Sequence, residues 1–239
     1  MQAGCYAEGD WRTAGPVSEM LIVSRVIPRL VATLLCSVVL VAAAQQSNPM
    51  TLNAQLLVAA RQADLPTLSR LLENGAAPNS RNRLGKTSLL IAAEKGNMPM
   101  IERLLAAGAD VQQASLEGVT PLIGAAYFGR DQAARRLLAA GARTEPIDRM
   151  ERSAMVYAAA LGHSDVVQVL LAHGISVDAP YANRLTALMW AAGQGQTDTV
   201  KLLLARGART DLTDDRGFTA VRLAQDGGHT AVAALLSPP

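Results

Sequence analysis

Hydrophobic residues along this chain come in paired bursts, separated by short polar stretches. The first burst of each pair is compact and built around two adjacent alanines, as in PLIGAAYF at 121–128. The second carries apolar residues at i, i+3 and i+4: Val167, Leu170 and Leu171, then Val200, Leu203 and Leu204. That spacing gathers them on one face of a helix. Polar, turn-rich stretches follow, such as ADVQQASLEG, ARTEPIDRME and ISVDAPYANR. The pattern predicts two short helices and then an extended finger, written repeatedly.

The repetition is regular. Alanine pairs stand at Ala59-Ala60, Ala92-Ala93, Ala125-Ala126, Ala158-Ala159 and Ala191-Ala192, with Ala224 last, each 33 residues after the one before. Units counted from seven residues upstream begin at 52, 85, 118, 151, 184 and 217, with no insertion. A fixed period of this length marks a stacked array, in which each unit buries its apolar face against its neighbours. Thr87, Thr120, Ser153, Thr186 and Thr219 are predicted to cap the first helix of a unit, since their hydroxyls can accept from free backbone N–H groups. Glycines at 96, 129, 162, 195 and 228 are predicted to end it. Asp131, Ser164, Thr197 and Thr230 are expected to cap the second helix. In the first two units Pro66 and Pro99 fall where a first helical residue is expected. Glycines at 75, 108, 141, 174 and 207 close the second helix.

TPL at 120–122, the alanine pairs, Gly162-His163 and LLAAGADV at 104–111 resemble the ankyrin repeat over about residues 52–236. The resemblance implies an all-α solenoid of about six helix–turn–helix units with β-hairpin-like fingers. It also implies binding of a macromolecule, without catalysis. Three departures stand out. The family's TPLH histidine is replaced by Leu57, Leu90, Ile123, Val156, Met189 and Arg222. The proline before it survives only as Pro121. The fourth unit opens on Glu151 where a glycine is expected. Lost cap hydrogen bonds are therefore expected to weaken the array, above all near residues 145–155. The ends fit a capped solenoid: the first unit shows Gln55, Arg61, Gln62 and Arg70, and the last stops at Leu236 before the 237–239 tail.

A different pattern precedes the array. Arg25 and Arg29 lead into an apolar run from Leu30 to Val41, and Ala42 and Ala44 supply small residues before Gln45. This order predicts a secretory signal peptide over 20–44, cleaved before Gln45. The apolar stretch is shorter than the roughly 20 residues of a membrane span, although a membrane-anchored leader facing the periplasm is the alternative. Residues 1–19 read as an extra N-terminal extension, because their acidic residues do not suit a signal and Met20 makes a better start. Residues 45–51 read as a linker. With the leader, the chain resembles exported, periplasmic bacterial ankyrin-repeat proteins, placed in the periplasm or secreted, with only transient membrane contact. Cys5 and Cys36 both lie before the cleavage site, so the mature chain is expected to carry no thiol chemistry.

Composition narrows the function. A net charge of +2, with no basic tract, gives no reason to expect nucleic acid. His163, His173 and His229 fall at helix ends and read as structural. No spacing suits a metal site, a phosphate loop or a catalytic constellation. The reading is a protein with no enzymatic activity, no cofactor, no metal and no small-molecule substrate, whose partner is another protein. Binding is expected on the concave side, where fingers and first helices meet. Only six aromatics follow residue 44, and Tyr127 and Phe128 are adjacent, at positions usually polar. Aromatics dominate interface hot spots. The candidate surface is therefore Tyr127, Phe128, Met150, Leu161 and Tyr181, rimmed by Arg83, Lys86, Arg149 and Arg152. Tyr157 and Trp190 read as packing residues. The expected role is to bind, protect or assist an envelope protein. Alternatives are an immunity-type inhibitor of an envelope-targeting toxin and a secreted host-directed effector.

Overall fold

The computed structural model describes residues 49–237. The N-terminal extension, the signal segment with Ala42, Ala44 and Gln45, and the start of the linker lie outside the described residues. Within the described residues the chain forms twelve α-helices in consecutive pairs. These are α1 (Pro49–Gln62) with α2 (Leu65–Glu73), α3 (Ser88–Lys95) with α4 (Met98–Ala106), and α5 (Pro121–Tyr127) with α6 (Asp131–Ala139). Then come α7 (Ala154–Ala160) with α8 (Ser164–Ala172), α9 (Ala187–Gly193) with α10 (Thr197–Ala205), and α11 (Ala220–Asp226) with α12 (Thr230–Leu236). The first helix starts at Pro49, so the last residues of the predicted linker are helical.

The period of the sequence becomes the stacking of the helices. First helices pack on first helices and second helices on second helices, and the first-helix row is the closer-packed. The stack therefore curves with the first helices on its inner side. Ala92, Ala93, Ala125, Ala126, Ala158, Ala159, Ala191 and Ala192 are all fully buried there, because a methyl group permits the closest helix approach. Leu104, Leu137, Leu170 and Leu203 are fully buried on the second helices. Each such leucine contributes about 1.5–3 kcal/mol of apolar burial.

The first-helix caps form as expected. Thr87, Thr120, Ser153, Thr186 and Thr219 accept from the backbone N–H three residues on, at 3.1–3.4 Å. The caps thus survive the loss of the TPLH histidine. Leu57, Leu90, Ile123, Val156 and Met189 at that position are buried apolar residues instead.

The second-helix caps differ from expectation. Asp131, Ser164, Thr197 and Thr230 are the first helical residues, and Arg130, His163, Gln196 and His229 precede them with no side-chain cap bond. Asp64 and Asn97 do cap α2 and α4, and Pro66 and Pro99 are second helical residues. The uncapped residues reach back to the preceding pair. Arg130 Nε donates to the Glu94 carbonyl at 3.3 Å, His163 Nε2 lies 3.0 Å from the Tyr127 carbonyl, and Gln196 Nε2 donates to the Ala160 carbonyl at 3.0 Å. Gly129 makes room for this clasp: a Cβ there would sit 2.6 Å from the His163 ring.

Fingers run over residues 76–87, 109–120, 142–153, 175–186 and 208–219. Each turns as a narrow hairpin, with one isolated antiparallel bridge, Arg81 to Thr87, among the described residues. Most turns are closed from within. Asn82 Oδ1 accepts from Leu84 and Lys86, Ser115 Oγ from Val119, Asp148 Oδ1 from Met150 and Arg152, and Asp214 Oδ1 from Arg216 and Phe218. The fourth finger has Tyr181 at this position and lacks the closure. Its tip is a 3-10 turn, Ala182–Arg184, with Asn183 and Arg184 in the left-handed region at φ 56° and 58°.

Candidate partner-binding surface

Tyr127 ends α5 and Phe128 follows it, where the helix gives way to the turn. Neither folds under: each is 45% exposed on the inner side of the stack. Their rings meet edge to face at 4.9 Å, and Tyr127 meets Tyr157 of α7 in the same way at 5.1 Å. Such pairs favour ordered rings beyond their burial alone. Tyr157 is buried, as its packing role requires. Its hydroxyl donates to Asp148 Oδ2, tying α7 to the third finger, and Met150 Sδ lies 4.0 Å away. Burial first, then the Asp148 hydrogen bond, push the Tyr157 phenol up to about 12.

The row continues through a cation. The Arg152 guanidinium lies 5.6 Å from the centre of the Tyr157 ring and 5.4 Å from that of Trp190 on α9. Phe128, Tyr127, Tyr157, Arg152 and Trp190 thus form one continuous strip across three helix pairs. Beside it is a cavity of about 200 Å³ lined by Lys86, Glu94, Val119, Ile123, Gly124 and the three rings. Lys86 Nζ and Glu94 Oε1 pair at 2.7 Å along its edge. Gly124 admits the neighbouring helix: a Cβ would sit 2.8 Å from Leu90 Cδ1 and 3.1 Å from Glu94 Cγ.

Several predicted site residues therefore come together. Tyr127, Phe128 and Lys86 line the cavity, and Met150 and Arg152 join through Tyr157. Leu161, 42% exposed, lies one helical turn after Tyr157 and flanks the strip. Three others stand apart. Arg83 is exposed beside a separate cavity with Val58 and Arg61, toward the first helix pair. Arg149 projects from the third finger and pairs with Glu117 at 3.4 Å, both about two-thirds exposed. Tyr181 is half-buried beneath the fourth finger, with its hydroxyl buried and unpartnered among the described residues. Burial pushes its phenol up to about 12.

Asp148, Glu94 and Trp190 are the additions sequence reasoning did not place in the site. Asp148 was detectable, since Asn82, Ser115 and Asp214 hold the same register. Among the described residues there is no metal-ligating cluster, and no helix long and apolar enough to cross a membrane. Exposed aromatic rings flanked by cations suit the binding of a partner.

No curated protein matches the chain. A family model does: that for ankyrin repeats in three copies matches residues 56–148, 115–181 and 155–238 in overlapping segments. The described helix pairs agree with that match, and such repeats generally mediate protein–protein binding on non-enzymatic scaffolds. The chain belongs to the ankyrin-repeat family.

Proposed function

We propose that this chain is an exported protein–protein interaction module that binds, protects or assists a protein of the bacterial envelope. The observation that carries the reading is the strip Phe128–Tyr127–Tyr157–Arg152–Trp190, whose first two rings remain 45% exposed although an apolar core lies beneath them. Exposed adjacent aromatics with a fixed geometry are the groups that most often anchor a partner. Export rests on the order of Arg25, Arg29, the apolar run and Ala42-Ala43-Ala44 in the sequence.

The test is recovery of a partner from an envelope fraction by the purified protein, beside Tyr127→Ala/Phe128→Ala. Loss of two hot-spot residues at roughly 2 kcal/mol each should weaken binding by roughly 700-fold. Undiminished binding by the double variant would remove this surface from consideration. Recovery of the protein from culture medium, with none in the periplasmic fraction, would turn the reading toward a secreted effector.

A further inference from the structure

The fingers are stitched to one another by two periodic rows of hydrogen bonds, and both rows skip the same joint. In the first row a side-chain oxygen receives a backbone N–H of the next unit. Asn79 accepts from Asp110, Gln112 from Arg143 and Asp178 from Arg209, at 2.8–3.2 Å. The missing member is Glu145 with Ser176. In the second row backbone bonds join the tips: Leu116 donates to Leu84, Arg149 to Glu117 and Asp215 to Asn183, at 2.9–3.1 Å. The missing member is Ala182 with Met150.

The sequence differs on both sides of this joint. At the tips of the first two fingers, Gly85 and Gly118 let the next finger approach so closely that a Cβ would sit 2.7 Å from Leu116 N and 3.0 Å from Asp148 Cα. The third finger has Glu151 at this position, held left-handed at φ 59°. A Cβ here stands where Gly85 and Gly118 admit the next finger; Arg184 takes the same register in the fourth finger, but there the tip is a 3-10 turn and the Asp215 bond forms. On the other side of the joint Tyr181 has replaced the turn-closing residue.

A slot opens there, made of two adjoining cavities of about 580 and 390 Å³ that share Thr144, Glu145 and Tyr181. We propose that this slot is a docking site for one extended segment of a protein partner, which enters with a lysine or arginine side chain between Glu145 and Glu151. The proposal rests on the reading of the chain as a protein-binding module. The backbone groups that the rows leave unmatched, the Met150 carbonyl and the Ala182 and Ser176 N–H groups, are those an added strand pairs with. Charge selects the side chain. Glu145 and Glu151 line the tip end of the slot and form no ion pair with a described residue, whereas Arg143 and His173 stand at the opposite end. A basic side chain is therefore drawn to the tip, against the apolar wall of Ile147, Pro180 and the Tyr181 ring.

A phage-displayed library of random dodecapeptides, panned on the purified protein, tests this. Peptides with a basic residue in an extended, β-branched context should be enriched. Glu145→Gln should weaken them at least tenfold. Glu151→Gly, which removes the intruding Cβ and lets the fingers close, should do the same, while Tyr127→Ala/Phe128→Ala should leave them unchanged. No enrichment, or enriched peptides indifferent to both slot variants, overturns the slot. Peptides lost only in the aromatic double variant also overturn it, and leave the aromatic strip standing.

Discussion

Asp214 shows how much one side chain can organise. It is buried in the last finger, accepts from the Arg216 and Phe218 N–H groups and pairs with the Arg216 guanidinium at 2.7 Å. Burial alone raises its carboxyl. The Phe218 and Arg216 hydrogen bonds overcome that and hold it below the usual carboxylate range. The sign of the pH effect follows. A carboxyl whose folded pKa lies below its unfolded value stabilises the protein fully above the unfolded value of about 3.9, and the stabilisation is lost as pH falls toward the folded pKa. Asp214→Asn should lower stability at pH 7 by about 1.5–3 kcal/mol, the range for charged hydrogen bonds. It should also flatten the decline of stability below about pH 4. Urea midpoints at several pH values would check this; parallel declines in both proteins would show that another group dominates.

The finger behaves as an element because one residue at a fixed register closes it. In the third finger that residue is Asp148, which accepts from Met150 N–H, Arg152 N–H and the Tyr157 hydroxyl. Asp148→Ala should cost about 2–3 kcal/mol, because it strands a buried hydroxyl as well as opening the turn. Tyr157→Phe should cost only about 1 kcal/mol, since it removes one bond and strands little. Denaturant unfolding of the pair measures the difference, and equal losses would mean that Asp148 acts through Tyr157 alone. The sequence made some of this legible and hid the rest. First-helix caps could be read because a hydroxyl three residues before its N–H is a local signal. Second-helix starts are hidden because Arg130, His163 and Gln196 each bond to a carbonyl 36 residues earlier in the preceding pair, which local propensity does not register. Tyr127 and Phe128 were visible as misplaced aromatics. Tyr181, expected beside them, is half-buried apart from the strip, at the register where the other fingers carry a turn-closing residue.

At the scale of the molecule the array is nearly one-dimensional, so its stability is a sum over units and the joints between them. All joints share the helix packing, and the joint between the third and fourth units keeps the His163 Nε2 contact with the Tyr127 carbonyl at 3.0 Å and the Tyr127–Tyr157 ring contact at 5.1 Å. It lacks both finger rows, and three left-handed non-glycine residues, Glu151, Asn183 and Arg184, stand beside it. A joint that loses finger bonds worth about 0.5–1.5 kcal/mol each is where a linear array separates first. Native-state hydrogen exchange should therefore show the Ser176 and Ala182 amides exchanging faster than Asp110, Arg143, Arg149 and Asp215, their counterparts at stitched joints. As denaturant rises, the pairs before and after the joint should open in two steps. Glu151→Gly separates this account from simple fraying of the C-terminal end. Relief of left-handed strain gives about 1–2 kcal/mol, less about 0.4–1 kcal/mol for the added freedom of glycine in the unfolded chain. The variant should gain roughly 0.5–1 kcal/mol and slow exchange at Ala182. If the C-terminal pairs still open first and Ala182 is unaffected, the weak point is the end of the stack and not the joint.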